Sequence, residues 1–243
     1  EKGYTNEQIA ELSGVPLGTV QKIFGGATTS PRYDTLKALE KIFLPMERER
    51  YYASVVKDAS AAYTVKRQGE YTVEDYYALP DEQRAELIDG RMYMMAPPSR
   101  KHQRISTRLV SIIDRYIEEH KGKCEVYAAP FAVYLDERSN TYVEPDISVI
   151  CDPDKLDDRG CKGAPDWIIE IVSPASKKMD YLLKLLKYRS AGVKEYWIVD
   201  PEKNRVIVYN FTGDESVNDY TLQDFVKVGI YEDFVIDFGS MEL

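Results

Sequence analysis

The sequence has few of the residues that bind zinc or form disulfides. Its 243 residues include three cysteines, Cys124, Cys151 and Cys161, and two histidines, His102 and His120. The cysteines are odd in number and lack CxxC spacing, so a structural zinc site has too few ligands to draw on. We expect all three cysteines to be reduced structural thiols, as is usual in cytoplasmic proteins.

The sequence also lacks long apolar stretches. No apolar run approaches the ~18 residues of a membrane-spanning helix, and no signal peptide pattern is visible. These absences predict a cytoplasmic protein with no membrane partner. With 44% hydrophobic and 30% charged residues, the composition is that of an ordinary globular protein, long enough for one large domain or for one medium and one small domain.

Positive charge is scarce relative to negative charge. The chain has 32 Lys and Arg against 41 Asp and Glu, a net charge of −9, which argues against a protein that coats DNA non-specifically. The first fifty residues are balanced, so the acidic excess lies in the rest of the chain. A nuclease remains compatible with this balance, because metal ions and local basic patches can offset a negative site.

The first 45 residues predict three short helices. Thr5 and Gln8 have the spacing of a capping box, and Gly14 ends the first helix. Pro16 starts the second helix, where its missing N–H costs little. The third helix starts at Ser30-Pro31 and turns its apolar residues inward, namely Leu36, Leu39, Ile42 and Phe43.

Two helices joined at a Gly turn and followed by a supporting helix have the plan of a helix-turn-helix. The residues QIAELSGVPLGTVQKIFGG resemble the Cro-type (XRE-like) phage-repressor family. That resemblance implies DNA as the partner, a homodimer for specific binding, and a recognition helix over Pro16–Phe24. The residues nearest the DNA are then Leu17, Thr19, Gln21 and Lys22. A helical module that recruits a protein partner is the alternative, because few basic residues precede Glu47.

The segment after the third helix predicts a linker. PMERERYYASVVKDASAAYTVKRQGE has mixed charge and no Gly before Gly69, where we place the boundary. We therefore expect a helix-turn-helix domain over 1–45, a linker over 46–70 and a second domain over 71–243.

Local patterns predict a mixed α/β order for the second domain. Thr72–Leu79 is typical of a short helix, and Asp89-Gly90 of a type I′ hairpin turn. Ser99–His120 predicts a long amphipathic helix with isoleucine and leucine at helical spacing. CEVYAAPFAVYL predicts a strand interrupted by Pro130. Such an order requires a central sheet with helices on its faces.

Two short apolar runs, Ile147–Ile150 and Trp167–Val172, predict buried strands. Each carries an acid, Asp146 at the edge of the first and Glu170 within the second. A buried acid is costly unless it is paired or holds a cation. Acids on neighbouring strands predict an oxygen-rich pocket for Mg²⁺ or Mn²⁺. Alternatively, Asp146 only caps its strand.

The segment Lys177–Ser190 predicts an amphipathic helix with one apolar stripe, consisting of Met179, Leu182, Leu183 and Leu186. Asp180, Lys184, Lys187 and Tyr188 lie beside this stripe. A lysine on that flank, just after the Glu170 strand, can reach back toward the carboxylates. The alternative is a solvated helix charge.

The block from Glu144 to Pro201 resembles the PD-(D/E)XK nuclease superfamily, which has the restriction-endonuclease-like fold, and more closely its Uma family. The residues that carry the resemblance are EPD, EIV, SPAS with the helix after it, and GVKEYWIVDP. The resemblance extends from about Tyr71 to the C-terminus. It implies an α/β (α+β) fold with a central mixed sheet flanked by helices, beside the small all-α helix-turn-helix domain.

The resemblance also implies roles for individual residues. Asp146 matches the first metal-binding Asp and Glu170 the second acid. The superfamily usually has Lys two residues after that acid, where this chain has Val172, and Lys184 matches the lysine that the Uma family keeps in the following helix. Glu86 matches an early acid that completes the metal shell, although an exposed hairpin residue is the other interpretation.

His102 matches a residue that contacts phosphate or a metal-bound water, although a structural hydrogen bond at the helix start explains it as well.

The predicted function is metal-dependent hydrolysis of DNA phosphodiester bonds, targeted by the helix-turn-helix. The alternative is a non-catalytic DNA-binding transcriptional regulator whose nuclease-like domain dimerises or senses a ligand. Val172 and the acidic balance favour that alternative.

Overall fold

A computed structural model of the protein describes residues 5–25, 27–28, 31–32, 34–36, 38–39, 66–80, 82–136, 140–174, 176–177 and 179–241. These residues form two compact units, the first within Glu1–Met95 and Arg138–Thr141 and the second within Ala96–Glu137 and Tyr142–Leu243. The predicted linker falls outside the described residues up to position 65. The expected boundaries at 45 and 70 therefore stay predictions.

The named helices are α1 (Asn6–Ser13), α2 (Leu17–Phe24), α3 (Val73–Tyr77), α4 (Arg100–Glu119) and α5 (Leu185–Ala191), with 3₁₀ turns at Pro153–Lys155 and Gly239–Met241 and a π-helix at Met179–Lys184. The strands are β1 (Ala85–Ile88), β2 (Arg91–Met94), β3 (Glu125–Ala128), β4 (Val133–Asp136), β5 (Thr141–Val143), β6 (Ile147–Ile150), β7 (Leu156–Asp157), β8 (Gly160–Lys162), β9 (Trp167–Ile171), β10 (Glu195–Asp200), β11 (Arg205–Asn210), β12 (Ser216–Tyr220), β13 (Phe225–Lys227) and β14 (Val235–Asp237).

The N-terminal helices begin and end where their capping residues predict. The Thr5 hydroxyl accepts from the Gln8 N–H while the Gln8 side chain accepts from the Thr5 N–H, which completes the capping box. Gly14 ends α1 with a φ of 71°, a left-handed conformation that glycine adopts at little cost. Residues 34–36 and 38–39 are also helical, with Leu36 and Leu39 buried. Ile42 and Phe43 lie outside the described residues.

The hairpin in the first unit is also confirmed. β1 and β2 pair antiparallel around Asp89 and Gly90, which both have positive φ, 51° and 71°, as a type I′ turn requires.

The sheet that positions the candidate site lies in the second unit. Its strand order is β12-β11-β10-β9-β6-β3. β9 runs parallel to β10 and antiparallel to β6, so the sheet is mixed. The predicted fold class, a mixed sheet flanked by helices, is confirmed.

The faces of this sheet bury different kinds of side chain. One face packs against α4 and the C-terminal strands through alternate residues such as Ile147, Ile169 and Trp197. α4 contributes one apolar stripe to that core, namely Ile105, Leu109, Ile113 and Ile117. Because side chains alternate along a strand, Glu170 lies on the opposite face from Ile169 and Ile171. The core therefore forces this acid toward the chain segment that follows β9.

Two predictions about strands and helices were wrong. The segment CEVYAAPFAVYL forms two strands, β3 and β4, in different sheets, with a cis peptide bond between Ala129 and Pro130. The helix predicted over Lys177–Ser190 begins with a π-helical stretch, Met179–Lys184, and becomes α-helical only at Leu185. A π-helix turns more slowly per residue than an α-helix. The predicted stripe residues Leu182, Leu183 and Leu186 are buried, but the residues between them are buried as well, so the stripe does not mark a single buried face.

The expectation of three reduced thiols was also wrong. Cys124 and Cys151 form a disulfide across a sequence separation of 27. They flank the antiparallel pair of β3 and β6, in which Glu125 lies opposite Ile150, and this register sets the cysteines opposite each other. Cys161 is free and buried, and burial raises the pKa of its thiol to about 11.

We expect removal of this disulfide to lower stability. Cross-linking a loop of this length contributes roughly 3–4 kcal/mol by restricting the unfolded chain. Thermal unfolding of Cys124→Ala and of Cys151→Ala should match that of the wild type with reductant. Cys161→Ala is the matched control, because it removes a buried thiol and leaves the cross-link in place. Equal melting temperatures of the wild type with and without reductant would contradict the prediction.

None of the helices in the described part of the chain is long and apolar enough to cross a membrane.

Candidate active site

Asp146 and Glu170 come together at one edge of the mixed sheet. Asp146 immediately precedes β6, and Glu170 lies on the neighbouring strand β9. The Asp146 N–H donates to Glu170 Oε2 at 3.4 Å, and the Ile171 N–H donates to Asp146 Oδ2 at 2.7 Å. The two carboxylates are thus held side by side by backbone groups of the strands that carry them.

His102 joins this pair from the first turn of α4. Ser99 caps that helix by accepting from the His102 N–H, which fixes the start of the helix. The Nε2 atom of His102 lies 3.0 Å from Asp146 Oδ2. The Nδ1 atom is buried and has no hydrogen-bond partner among the described residues. His102 is therefore in contact with Asp146 and orients that carboxylate.

Lys184 approaches Glu170 from the end of the π-helix. Its Nζ atom donates to Glu170 Oε1 at 3.0 Å and lies 3.7 Å from Asp180 Oδ1. Lys184 and Glu170 are about 95% buried, so the interpretation of Lys184 as a solvated helix charge was wrong. In a buried setting an unpaired charge is strongly unfavourable, and Lys184 is held here by two carboxylates.

Tyr188 also contacts the site, although the sequence did not identify it as a site residue. Its hydroxyl donates to Glu170 Oε1 at 2.6 Å, the same oxygen that Lys184 contacts. The signal was present in the spacing of Asp180, Lys184 and Tyr188, which recur every fourth residue along the segment after β9. Asp180 is buried as well, and its backbone carbonyl accepts from the Tyr196 hydroxyl. Burial, with the nearby carboxylates of Asp180 and Glu170, raises the pKa of the Tyr196 phenol.

Val172 occupies the position where the resembled superfamily has lysine. Its backbone N–H donates to the Val199 carbonyl, and its side chain is buried. Because Val172 is two residues after Glu170, both side chains project toward the same face. The ammonium group near Glu170 thus comes from the following helix instead of from the strand.

Glu86 is buried on β1, opposite Tyr93 of β2, in the first compact unit. The interpretation of Glu86 as an exposed hairpin residue was therefore wrong. Its part in a metal shell remains a prediction.

The candidate metal ligands are the carboxylates of Asp146 and Glu170. Within the described ranges, no three His, Cys, Asp or Glu side chains are grouped so as to hold a metal ion by themselves.

In the helix-turn-helix segment, the residues predicted to face DNA are on the outside of α2. Val20 and Ile23 are buried, whereas Leu17, Gln21 and Lys22 are exposed and Thr19 is half-buried. α2 is therefore amphipathic, with its apolar side packed inward.

The fold and the paired carboxylates define a restriction-endonuclease-like domain carried in one chain with a helix-turn-helix. The sequence profile of the Uma2 family, described as "Putative restriction endonuclease", matches residues 73–231. The chain belongs to this family. A profile described as "Helix-turn-helix", of the Cro/XRE type, matches residues 1–43.

Two relatives are similar to about two thirds of the chain. A crystal structure described as "a putative nuclease belonging to DUF820 from Anabaena variabilis ATCC 29413" matches with a TM-score of 0.58 and 22% identity, over 70% of this chain and 96% of that one. At this identity the likeness bears on the fold alone. The "Uncharacterized protein slr1290" of Synechocystis sp. is 26% identical over 160 residues, which is 64% of this chain and 83% of the relative.

Proposed function

We propose that the chain is a metal-dependent endonuclease that hydrolyses DNA phosphodiester bonds and is directed to DNA by its helix-turn-helix. One observation carries the proposal: the carboxylates of Asp146 and Glu170 lie side by side with the Lys184 ammonium 3.0 Å from Glu170. Two acids and a lysine at one sheet edge suit metal-assisted phosphodiester hydrolysis, which needs no covalent nucleophile.

Asp146 and Glu170 fit a hard divalent cation, with Glu86 as a further predicted ligand. Mg²⁺ is commonly held by one or two protein carboxylates, with water and substrate phosphate completing its shell. When bound, Mg²⁺ or Mn²⁺ would make a coordinated water more acidic and stabilise charge on the phosphate.

The chain's own groups prepare this chemistry. The Ile171 N–H and His102 orient the Asp146 carboxylate, while Lys184 and Tyr188 hold Glu170 Oε1. We propose that Lys184 supplies the positive charge that the superfamily places two residues after the second acid. Its ammonium either positions the attacking water or offsets charge on the scissile phosphate. Plasmid cleavage with Mg²⁺ or Mn²⁺ tests the proposed function.

The outward residues of α2 are proposed to contact DNA, and we expect Gln21→Ala and Lys22→Ala to act differently. Loss of Lys22 removes one phosphate contact, so affinity falls to a similar extent on every sequence and the salt slope of binding drops by about 1. Loss of Gln21 removes a base contact, so discrimination between sequences falls. Fluorescence anisotropy over a salt series, on preferred and unrelated duplexes, measures both effects.

Glu11→Ala is the matched control for these variants, because Glu11 is exposed on α1. Unchanged DNA binding in both α2 variants would instead favour a helical module that recruits a protein partner.

A second candidate function is a non-catalytic regulator that binds DNA through its helix-turn-helix. Lys184 and Glu170 form a closed, buried ion pair with Val172 in the usual lysine position, and this arrangement favours a structural role for the cluster. DNA binding without cleavage in either metal would support the regulator. We also propose that the protein acts in the cytoplasm, where its DNA substrate would lie, and as a homodimer, because a pair of sites can cut both strands together.

A further inference from the structure

A group of lysines surrounds the turn that follows β10, and the chemistry proposed above does not use it. Lys101 Nζ donates to the Pro201 carbonyl at 3.2 Å. Lys177 Nζ lies 3.5 Å from Asp200 Oδ2. The backbone N–H of Lys203 donates to Asp200 Oδ1 at 3.1 Å. We call Lys101, Lys177 and Lys203 the lysine cluster.

The carboxylate at the centre of this cluster is already engaged. Asp200 is buried, with 1% of its side chain exposed. Besides Lys177, it accepts hydrogen bonds from the Tyr181 hydroxyl at 3.0 Å and from the backbone N–H groups of Glu202 and Lys203 at 3.1 Å. Asp200 pairs with Lys177, whereas the Lys101 ammonium contacts a neutral carbonyl, so the cluster carries more positive charge than Asp200 neutralises.

The ammonium groups of Lys177 and Lys203 repel each other. The Lys203 side chain lies over the Tyr181 ring, with Nζ 5.5 Å from the ring centroid. Burial, followed by repulsion from Lys177, lowers the pKa of Lys203. An anion that binds between two like charges relieves their repulsion, which makes its binding more favourable.

The cluster lies at the same sheet edge as Asp146 and Glu170. β10 runs parallel to β9, with Ile198 opposite Glu170 and Val199 opposite Ile171. Asp200 is the last residue of β10, so it lies at the same end of the sheet as Glu170. Lys101 precedes His102, whose ring contacts Asp146. The first turn of α4 thus contacts both the paired carboxylates and the Asp200-Pro201 turn.

We propose that the lysine cluster binds the backbone phosphates of the DNA strand next to the phosphate that is cleaved. A phosphodiester backbone places negative charges in a row, so a strand whose scissile phosphate lies at Asp146 and Glu170 carries its neighbouring phosphates along the sheet edge. The cluster positions the strand and reads no sequence, since phosphate contacts carry no base information. This inference rests on the proposed function for the choice of ligand.

The test is DNA binding by the full chain in EDTA over a salt series, for single Lys→Gln variants at positions 101, 177 and 203 and for the triple variant. Each substitution is expected to lower the salt slope by about 0.9, equivalent to an affinity loss of about eight-fold at 0.1 M salt. The loss should be equal on two unrelated duplexes, and Lys→Arg at each position should restore binding. Lys227→Gln, an exposed lysine on β13, is the matched control.

Cleavage kinetics separate this inference from the proposed function. If the wild type cuts DNA, the triple variant should show a raised KM with nearly unchanged kcat, as expected when uniform binding is lost. Cleavage with an unaltered KM and salt slope in the triple variant would overturn the inference and leave the nuclease standing. Weakened binding in a protein that cuts nothing would support the cluster as a DNA contact and refute the nuclease.

Discussion

Asp146→Ala and Glu170→Ala are each expected to reduce metal-dependent plasmid cleavage by about a thousand-fold or more. A catalytic metal contributes several kcal/mol of stabilisation to the charged transition state, and each 1.4 kcal/mol is a factor of ten in rate. Each variant removes one of the two carboxylates that lie side by side at the sheet edge. The measurement is nicking and linearisation of supercoiled plasmid in Mg²⁺ and in Mn²⁺.

Isosteric variants make this test sharper. Asp146→Asn and Glu170→Gln keep the side-chain volume and remove the negative charge, so they should lose cleavage with less structural damage than the alanine variants. Glu118→Ala, an exposed acid near the end of α4, is the control and should cut at the wild-type rate. Near-wild-type cutting by the Asn and Gln variants would rule out these carboxylates as metal ligands.

The parts of the fold that the sequence predicts correctly are those set by local rules. Thr5 with Gln8, and Asp89 with Gly90, act within four residues of each other, and each gives the cap or turn expected. The long helix begins at the Ser99 cap and buries its apolar stripe, as its periodicity predicts. Short-range sterics and hydrogen bonds determine these features, so neighbouring residues in the sequence are enough to predict them.

The features that the sequence does not predict depend on long-range pairing. The disulfide requires the register of β3 against β6, which brings together cysteines 27 residues apart. Asp146 and Glu170 could be predicted as site residues, because each is an acid at or within a short apolar strand. The spacing of Asp180, Lys184 and Tyr188 pointed to Tyr188, but its hydrogen bond to Glu170 could not be predicted, because that contact depends on where the π-helix sets the following turn.

Lys184→Met is expected to destabilise the fold by about 3–5 kcal/mol and to reduce cleavage. The substitution leaves Glu170 as a buried charge without its ammonium partner, and breaking one side of a buried pair has this order of cost. Glu170 keeps the Tyr188 hydroxyl and the Asp146 N–H, which places the loss toward the lower end of that range. Urea denaturation measures the change in the free energy of unfolding.

The double variant Lys184→Met/Glu170→Gln separates the structural role of the pair from its catalytic role. Replacing both charges removes the unpaired Glu170 carboxylate, so part of the lost stability should return. The buried Asp180 carboxylate, which lies 3.7 Å from Lys184 Nζ in the wild type, still loses its lysine, so recovery should be incomplete. Cleavage should stay absent because both the lysine and the acid are gone. Lys227→Met, at an exposed position on β13, is the control and should change neither quantity strongly. If Lys184→Met instead unfolds like the wild type and still cuts DNA, the buried contact with Glu170 serves neither role, and Lys184 is not the displaced lysine of the superfamily.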